Sequence, residues 1–272
     1  MTDETVTDET GPDETVPGTG ADQLVQYSVD RGIARIALNS PRNRNALSAT
    51  LVAELTGALT AAGADAAVRA VELTHTGSTF CAGADLSEAS QGGMRAGAAR
   101  VMALLKLIVM LPKPVVGSID GHARAGGLGL VGACDIVLAG PKSTFAFTEV
   151  KLGLAAAMIS LTTLPKMEPR AASRYYLTGE TFDATTAARI GLITEAVTDI
   201  GTATPAVLDL LRAASPQGLR ETKSLLTTAV LDGFDTRAAA LAELSARLFG
   251  SAEAVEGMRA FLEKRRPSFA AE

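Results

Sequence analysis

One glycine-rich stretch, residues 119–135, constrains the fold of this 272-residue chain more than any other segment. It holds five glycines and follows residues 114–119, a short, β-branched apolar run bounded by proline and glycine. Such a run is typical of a buried strand. The glycines after it let backbone N–H groups approach a ligand closely. If Gly126 begins a helix, its N–H also lies at the positive end of the helix dipole, where it suits a negative oxygen.

The same stretch matches the spacing of a dinucleotide-binding fingerprint, with Gly127, Gly129 and Gly132 at G-x-G-x-x-G positions. That motif needs a tight strand-to-helix turn and then a helix of ordinary length. Here several residues separate the strand from the first glycine, and the strand predicted at residues 135–139 begins three residues after Gly132. The spacing leaves no room for that helix, so the sequence argues against a dinucleotide site.

A second loop rich in glycine and alanine, residues 77–86, also follows a predicted strand. The two loops could each aim one backbone N–H at the same oxygen and so form an oxyanion hole. Such a hole lowers the barrier to an enolate or tetrahedral anion by roughly 3 kcal/mol for each donor. One nearby carboxylate, Glu149, would complete a site for proton transfer.

Hydrophobic periodicity predicts an α/β core followed by a helical C-terminal part. Residues 24–29 and 33–38 are predicted as a hairpin, and Ser48 as the cap of a helix. Further strands are predicted at 71–74, 114–119, 135–139 and 145–147. Further helices are predicted at 98–111, 171–177, 184–190 and 258–266, and in segments from Pro205 onward that include 225–231 and 238–248.

Composition places the chain among globular proteins, with 47% hydrophobic residues and no tryptophan. All six acidic residues of the first 20 positions lie in three Asp-Glu-Thr repeats without a basic residue, which predicts a disordered acidic tail. We therefore divide the chain into this tail (1–20), a core (21–204) and a helical region (205–272).

The sequence also argues against several functional classes. No basic run or aromatic stripe suggests nucleic-acid binding, and no apolar stretch is long enough to span a membrane. Cys81 and Cys134 have neither disulfide nor metal-ligand spacing, so a metal site is not expected and a reducing cytoplasm fits. The N-terminus lacks the features of a signal peptide.

Several motifs in a shared order make the chain resemble the enoyl-CoA hydratase/isomerase, or crotonase, superfamily across about residues 22–268. The matching segments are Leu38-Asn39-Ser40-Pro41, Asn45-Ala46-Leu47, Phe80 through Leu86, Gly121-His122-Ala123, Gly126-Gly127, Cys134-Asp135, Phe147-Thr148-Glu149, Gly153-Leu154 and Phe261 through Arg265. The resemblance implies a spiral of ββα repeats with a helical C-terminal trimerisation region, and commonly a homotrimer or a dimer of trimers.

The resemblance also implies roles for particular residues. The N–H groups of Ala84 and Gly126 would hold a thioester carbonyl, and Glu149 would be the acid/base. Residues binding coenzyme A would be Arg42, Asn43, Arg44, Ala82 and Lys264. Lys264 stands where the family often has a lysine that meets the phosphates of coenzyme A, frequently on a neighbouring subunit. Coenzyme A is then part of the substrate, and no separate cofactor is expected.

One position departs from the pattern of the family. Hydratases have two glutamates that hold and activate a water, and the first should stand at Gly129. The flanking sequence resembles a subgroup described as methylglutaconyl-CoA-hydratase-like, whereas a single glutamate also resembles the enoyl-CoA isomerases. The sequence predicts hydration of a 2-enoyl-CoA, with 3-enoyl to 2-enoyl isomerisation and a non-catalytic acyl-CoA-binding protein as alternatives.

Other reactive residues are interpreted as structural. A catalytic triad is not expected from Ser118, Asp120 and His122, which are spaced two residues apart. On one strand, neighbouring members of this set would lie roughly 7 Å apart, too far for the linked hydrogen bonds of a triad. His122 and Arg124 are predicted to lie in an exposed loop. Cys81 has no base at a defined position, so a nucleophilic role is not expected.

Overall fold

A computed structural model describes residues 23–85, 88 and 94–271 of the chain. The predicted acidic tail at residues 1–20 lies outside the described residues. The strands are β1 (Val25–Asp30), β2 (Ile33–Leu38), β3 (Ala70–His75), β4 (Thr79–Cys81), β5 (Val115–Ile119), β6 (His122–Arg124), β7 (Ile136–Ala139), β8 (Thr144–Ala146), β9 (Phe182–Asp183) and β10 (Glu195–Ala196).

The α-helices are α1 (Ala49–Ala64), α2 (Met94–Met110), α3 (Gly126–Ala133), α4 (Ser160–Thr163), α5 (Pro169–Thr178), α6 (Ala184–Arg189), α7 (Ile200–Ala213), α8 (Pro216–Phe249) and α9 (Ala252–Leu262). Two 3₁₀ turns span Pro41–Asn43 and Thr148–Leu152. Within the described part of the chain, no helix is long and apolar enough to cross a membrane.

The strands form two sheets, one of six strands in the order β1-β2-β3-β5-β7-β10 and one of four in the order β4-β6-β8-β9. All neighbouring pairs are parallel except β1/β2 and β8/β9. The predicted hairpin is confirmed, because Arg31 and Gly32 both have positive φ (43° and 79°), as its two-residue turn requires. The predicted α/β fold class is therefore confirmed.

The core lies on both faces of the six-stranded sheet. On one face lies the main hydrophobic cluster. It includes Leu51, Leu55 and Leu59 from the buried side of α1, together with buried residues of α2. The predicted cap is present, since Ser48 Oγ accepts a hydrogen bond from the N–H of Leu51 at 3.2 Å. On the other face Leu208 of α7 packs against β2, β3 and β5.

The C-terminal helices differ in detail from the prediction. Segments 225–231 and 238–248 belong to one continuous helix, α8, which packs along α2. Helix α7 begins at Ile200 rather than near Pro205, because the carboxylate of Asp199 caps it, so the boundary drawn at residue 204 falls inside this helix. The last helix, α9, ends at Leu262, since Lys264 adopts a left-handed conformation (φ 54°).

A buried lysine fastens α8 to the core. Lys223 is only 4% exposed. Its Nζ donates to the carbonyls of Ile108 at 2.9 Å and Lys113 at 3.0 Å, and it pairs with Asp135 at 2.7 Å. All three ammonium donors therefore have acceptors, which offsets the cost of burying the charge.

Candidate active site

Three neighbouring parallel strands of the small sheet each end just before one candidate catalytic residue. Ala84 follows β4 by three residues, Gly126 follows β6 by two, and Glu149 follows β8 by three. Because β4, β6 and β8 are adjacent and parallel, their carboxyl ends meet at the same edge of the sheet. This is the edge at which open α/β sheets commonly bind ligands.

The two predicted oxyanion donors lie side by side. Gly126 is the first residue of α3, so its N–H has no acceptor within the helix. A Cβ placed on Gly126 would stand 3.6 Å from the backbone N of Ala84, and one placed on Gly83 would stand 3.0 Å from the N of Gly126. Neither amide donates to a protein acceptor among the described residues. The structure thus brings together two free N–H groups, as a negatively charged oxygen requires.

The residue before this pair has an unusual backbone conformation. Ala125 has φ 46° and ψ −120°, in a region that favours glycine. Its N–H donates to the carbonyl of Ala146 at 3.2 Å, which ties the start of α3 to the end of β8. Strain of this kind persists only where the surroundings impose it, and it recurs at functional sites.

Glu149 lies in the 3₁₀ turn Thr148–Leu152, which Gly153 ends with φ 70°. The residue is half-buried, and its Oε2 is fully buried without a hydrogen-bond partner in the described part of the chain. Burial raises the pKa of this carboxyl from 4.5 to about 7. Tyr176 lies close enough that the carboxylate contributes to raising the pKa of its phenol. A carboxyl with such a pKa can both take up and release a proton near neutral pH.

No side chain fits where the family pattern would place a second glutamate. A Cβ on Gly129 would stand 2.7 Å from Cγ2 of Ile159 and 3.1 Å from Cδ1 of Leu105. Both neighbours are fully or almost fully buried. Apolar side chains therefore fill this position, and no space is left there for a carboxylate.

The loop predicted to bind coenzyme A runs beside the oxyanion loop. The N–H of Ala82 donates to the carbonyl of Arg44 at 3.1 Å, and that of Leu47 donates to Gly83 at 2.8 Å. The side chain of Asn43 donates to Asp85 at 2.7 Å. These contacts place the predicted residues 42–44 and Ala82 alongside Ala84. Arg42 and Arg44 remain exposed.

Asn45 belongs to one of the family-like motifs, and its side chain connects both loops. It is fully buried, and its side-chain Nδ2 donates to the carbonyls of Thr76 at 3.1 Å and Thr79 at 2.7 Å. Its Oδ1 accepts from the N–H of Ser40 at 2.7 Å. A buried asparagine side chain needs hydrogen-bond partners for its polar atoms. In the sequence, only the motif that contains Asn45 points to this role.

Two other predicted residues have different outcomes. Lys264 lies exposed just after α9, and no hydrogen bond or ion pair among the described residues links it to the 42–44 loop.

The exposed-loop prediction for Arg124 is wrong. The residue lies on β6 and is half-buried, and its guanidinium donates to the carbonyl of Thr144 at 2.6 Å and to its hydroxyl at 2.7 Å.

A cavity beside Ala84 is lined mainly by apolar side chains. These are Leu47, Val52, Ala98, Val101, Met158 and Phe249, and the charged residues Asp85, Glu88 and Arg100 also line it. Glu88 caps α1, since its carboxylate accepts from the N–H of Ala49. An apolar cavity at an oxyanion site suits an acyl or pantetheine chain.

The other reactive residues do not form a site. Ser118 bonds Thr204 at 2.9 Å, whereas His122 lies on β6 rather than in a loop and contacts Thr144 at 2.9 Å, so no triad forms. Cys81 is fully buried, which raises the pKa of its thiol to about 12. A separate cavity of about 540 Å³ between the large sheet and α7 is lined by none of the candidate catalytic residues.

Comparison with known proteins shows the family to which the chain belongs. The family model for enoyl-CoA hydratase/isomerase matches residues 28–272, and the chain belongs to that family. A crystal structure of an enoyl-CoA hydratase from Mycobacterium avium is 54% identical with a TM-score of 0.87, covering 92% of this chain and 100% of that one. The fold is therefore the crotonase fold, as the sequence predicted.

Relatives named for other acyl groups are similar at lower identity. The mevalonyl-coenzyme A hydratase of Aspergillus fumigatus is 32% identical over 248 residues, covering 87% of this chain and 91% of the relative. A carnitinyl-CoA hydratase from Mycobacterium avium is 28% identical with a TM-score of 0.80, covering 93% and 100% of the two chains. All three relatives carry names of acyl-CoA hydratases.

Proposed function

We propose that this protein is an enoyl-CoA hydratase that adds water to a 2-enoyl-CoA thioester with one glutamate. The observation that carries the proposal is the edge of the small sheet, where Ala84, Gly126 and Glu149 follow three adjacent parallel strands. The site thus combines two free amides with one carboxyl whose pKa is close to neutral.

The proposed reaction uses the carboxylate twice. Glu149 takes a proton from water while the water oxygen adds to C3 of the enoyl group, and the electrons move to the thioester oxygen. The N–H groups of Ala84 and Gly126 hold the resulting enolate oxygen, each contributing about 3 kcal/mol of transition-state stabilisation. Glu149 then returns its proton to C2, which restores the carboxylate and gives the 3-hydroxyacyl thioester.

A second candidate reaction is isomerisation of a 3-enoyl-CoA to a 2-enoyl-CoA. The closed position at Gly129 favours it, because Ile159 and Leu105 occupy the place of a second water-holding carboxylate. In this reaction Glu149 removes a proton from C2, the two amides hold the dienolate oxygen, and the same proton is delivered to C4. No water has to be held, so one carboxylate suffices.

The test follows the absorbance of the conjugated enoyl thioester with a panel of 2-enoyl- and 3-enoyl-CoA esters. Loss of the signal from a 2-enoyl ester, abolished by Glu149→Gln, would support the hydratase. Gain of signal from a 3-enoyl ester without loss from the 2-enoyl ester would support the isomerase. Binding of the esters with neither change would contradict both and leave a non-catalytic acyl-CoA-binding protein. Glu221→Gln, an exposed pair with Arg220, is the matched control.

We also propose that coenzyme A contacts residues 42–44 and Ala82, and that the protein is a homotrimer or a dimer of trimers with Lys264 reaching a neighbouring subunit. Exposed apolar side chains on the C-terminal helices support an interface, with Leu225 79%, Leu262 67% and Phe261 57% exposed. Light scattering gives the mass of the assembly, and a monomer at working concentration would contradict this assignment.

A further inference from the structure

The carboxyl of Glu149 has one buried oxygen that no polar partner among the described residues holds in place. Its Oε2 is buried without a hydrogen bond from any described residue. The position of the carboxyl therefore depends on the 3₁₀ turn Thr148–Leu152 that carries it. Whatever fixes this turn also fixes the proton-transfer group.

The C-terminal helix α9 packs directly on this turn through two glycines. A Cβ on Gly257 would stand 2.6 Å from both the carbonyl carbon and the carbonyl oxygen of Leu152. From the other side, a Cβ on Gly153 would stand 2.7 Å from the carbonyl carbon of Glu253 and 2.9 Å from the N of Ala254. Backbone therefore meets backbone in both directions, and neither glycine leaves room for a methyl group.

We infer that Gly257 is a positioning residue for Glu149, because the close approach that it permits sets where the carboxyl-bearing turn stands. This inference rests on the proposed function, since it assigns a consequence for proton transfer. Ala254 and Ala260 flank Gly257 on the same face of α9 and are fully buried, so the helix cannot shift freely along the turn.

The geometry predicts the size of the effect. Ordinary van der Waals contact begins near 3.4 Å, so a methyl group at 2.6 Å from the Leu152 carbonyl forces the helix and turn apart by just under 1 Å. A misplacement of about 1 Å can cost about 100-fold in rate. We expect Gly257→Ala to lower kcat by about 10-fold to 100-fold and to change KM by less than about 3-fold, because coenzyme A is bound elsewhere.

The matched control is Gly57→Ala in the exposed middle of α1. A Cβ at Gly57 meets nothing within 4 Å. Both changes replace glycine by alanine inside a helix, which by itself stabilises the helix. Gly57→Ala should keep the kinetics of the wild type. A fall in kcat confined to Gly257→Ala therefore reports the contact with the turn and not the change in helix propensity.

A pH profile distinguishes positioning from general destabilisation. Separation of α9 from the turn admits water to Glu149, so its pKa should fall from about 7 toward its ordinary value and the acidic limb of kcat/KM should move to lower pH. Among the described residues, the titratable groups around the turn include Tyr176 on α5, Lys151 within the turn, Glu180 beside Lys151, and Glu253 on α9. A ¹³C NMR titration of the Glu149 carboxyl measures the same pKa without substrate.

The outcomes separate the inference from the proposed function. If Glu149→Gln is inactive while folded Gly257→Ala keeps the kcat and pH profile of the wild type, only the positioning role is refuted. If Glu149→Gln stays active, the proposed function fails, and the NMR titration alone then decides whether Gly257 controls the carboxyl. If Gly257→Ala does not fold, Ala254→Gly loosens the same face without a clash and should lower kcat in the same direction. An unchanged kcat and pKa in Ala254→Gly would then refute the inference.

Discussion

Replacing Glu149 by glutamine should make the protein progressively more stable than the wild type as the pH rises, even though it removes the proposed acid/base. The carboxyl of Glu149 has a pKa of about 7 in the folded protein because burial penalises its charge, against 4.5 for an ordinary glutamate. The folded state therefore binds the proton more tightly than the unfolded state. Between these two values, stability falls as the pH rises, since the folded protein must ionise a buried group.

The magnitude follows from the difference between the two pKa values. A carboxyl pKa of about 7 instead of 4.5 corresponds to about 3 kcal/mol, at ~1.4 kcal/mol for each tenfold change in the ionisation constant. Because Glu149 keeps part of its surface in water, we expect about 2 kcal/mol. This penalty is nearly absent below the unfolded pKa and fully present above about pH 7. Glutamine does not ionise, so the variant avoids it.

Urea denaturation of the wild type and Glu149→Gln between about pH 4 and pH 8 measures this effect. The buried amide adds an offset that does not change with pH, so only the slope of the difference between the two proteins matters. The exposed Glu221→Gln variant should track the wild type throughout. A constant difference between wild type and Glu149→Gln across this range would refute the argument that burial controls this carboxyl.

Three further changes test the packing around the site. Gly129→Ala should lower the free energy of unfolding by about 1–3 kcal/mol, because its methyl group meets Ile159 at 2.7 Å; an unchanged urea midpoint would show that the space is not closed. Lys223→Ala should cost about 3–5 kcal/mol by leaving Asp135, whose side chain is only 16% exposed, without its cation, and a small loss in thermal or urea unfolding would contradict that role. Ala125→Gly should raise stability by about 1 kcal/mol through relief of its positive φ, whereas a lower melting temperature would show that the alanine is unstrained.

Much of the fold was accessible from local sequence signals. The Asp30-Arg31-Gly32 turn and the Ser48 cap predict a hairpin and a helix start from chemistry within a few residues, and both are present. The sequence does not predict the short strands β4, β6, β9 and β10. Their partners lie far away in sequence, so pairing rather than propensity makes them strands.

The sequence motifs predict which residues form the candidate site, but not how the surrounding side chains pack against them. Gly129 shows in sequence that a carboxylate is missing. Only the structure shows that Ile159, thirty positions later, fills the space. Likewise no local pattern indicates that Gly257 would touch Leu152, because this contact joins the C-terminal helix to a turn more than one hundred residues earlier. Long-range packing of this kind has no periodicity to detect.

The raised pKa of Glu149 comes from burial and not from a second charge. Where two carboxylates share a site, the charge of one raises the pKa of the other. Here the burial of the carboxyl alone raises the pKa to about 7. Leu105 and Ile159 fill the space beside Gly129, so no second carboxylate fits there to raise the pKa. Because burial depends on close contacts, we expect the pKa of Glu149 to be more sensitive to small shifts of α9 than to changes in distant surface charge.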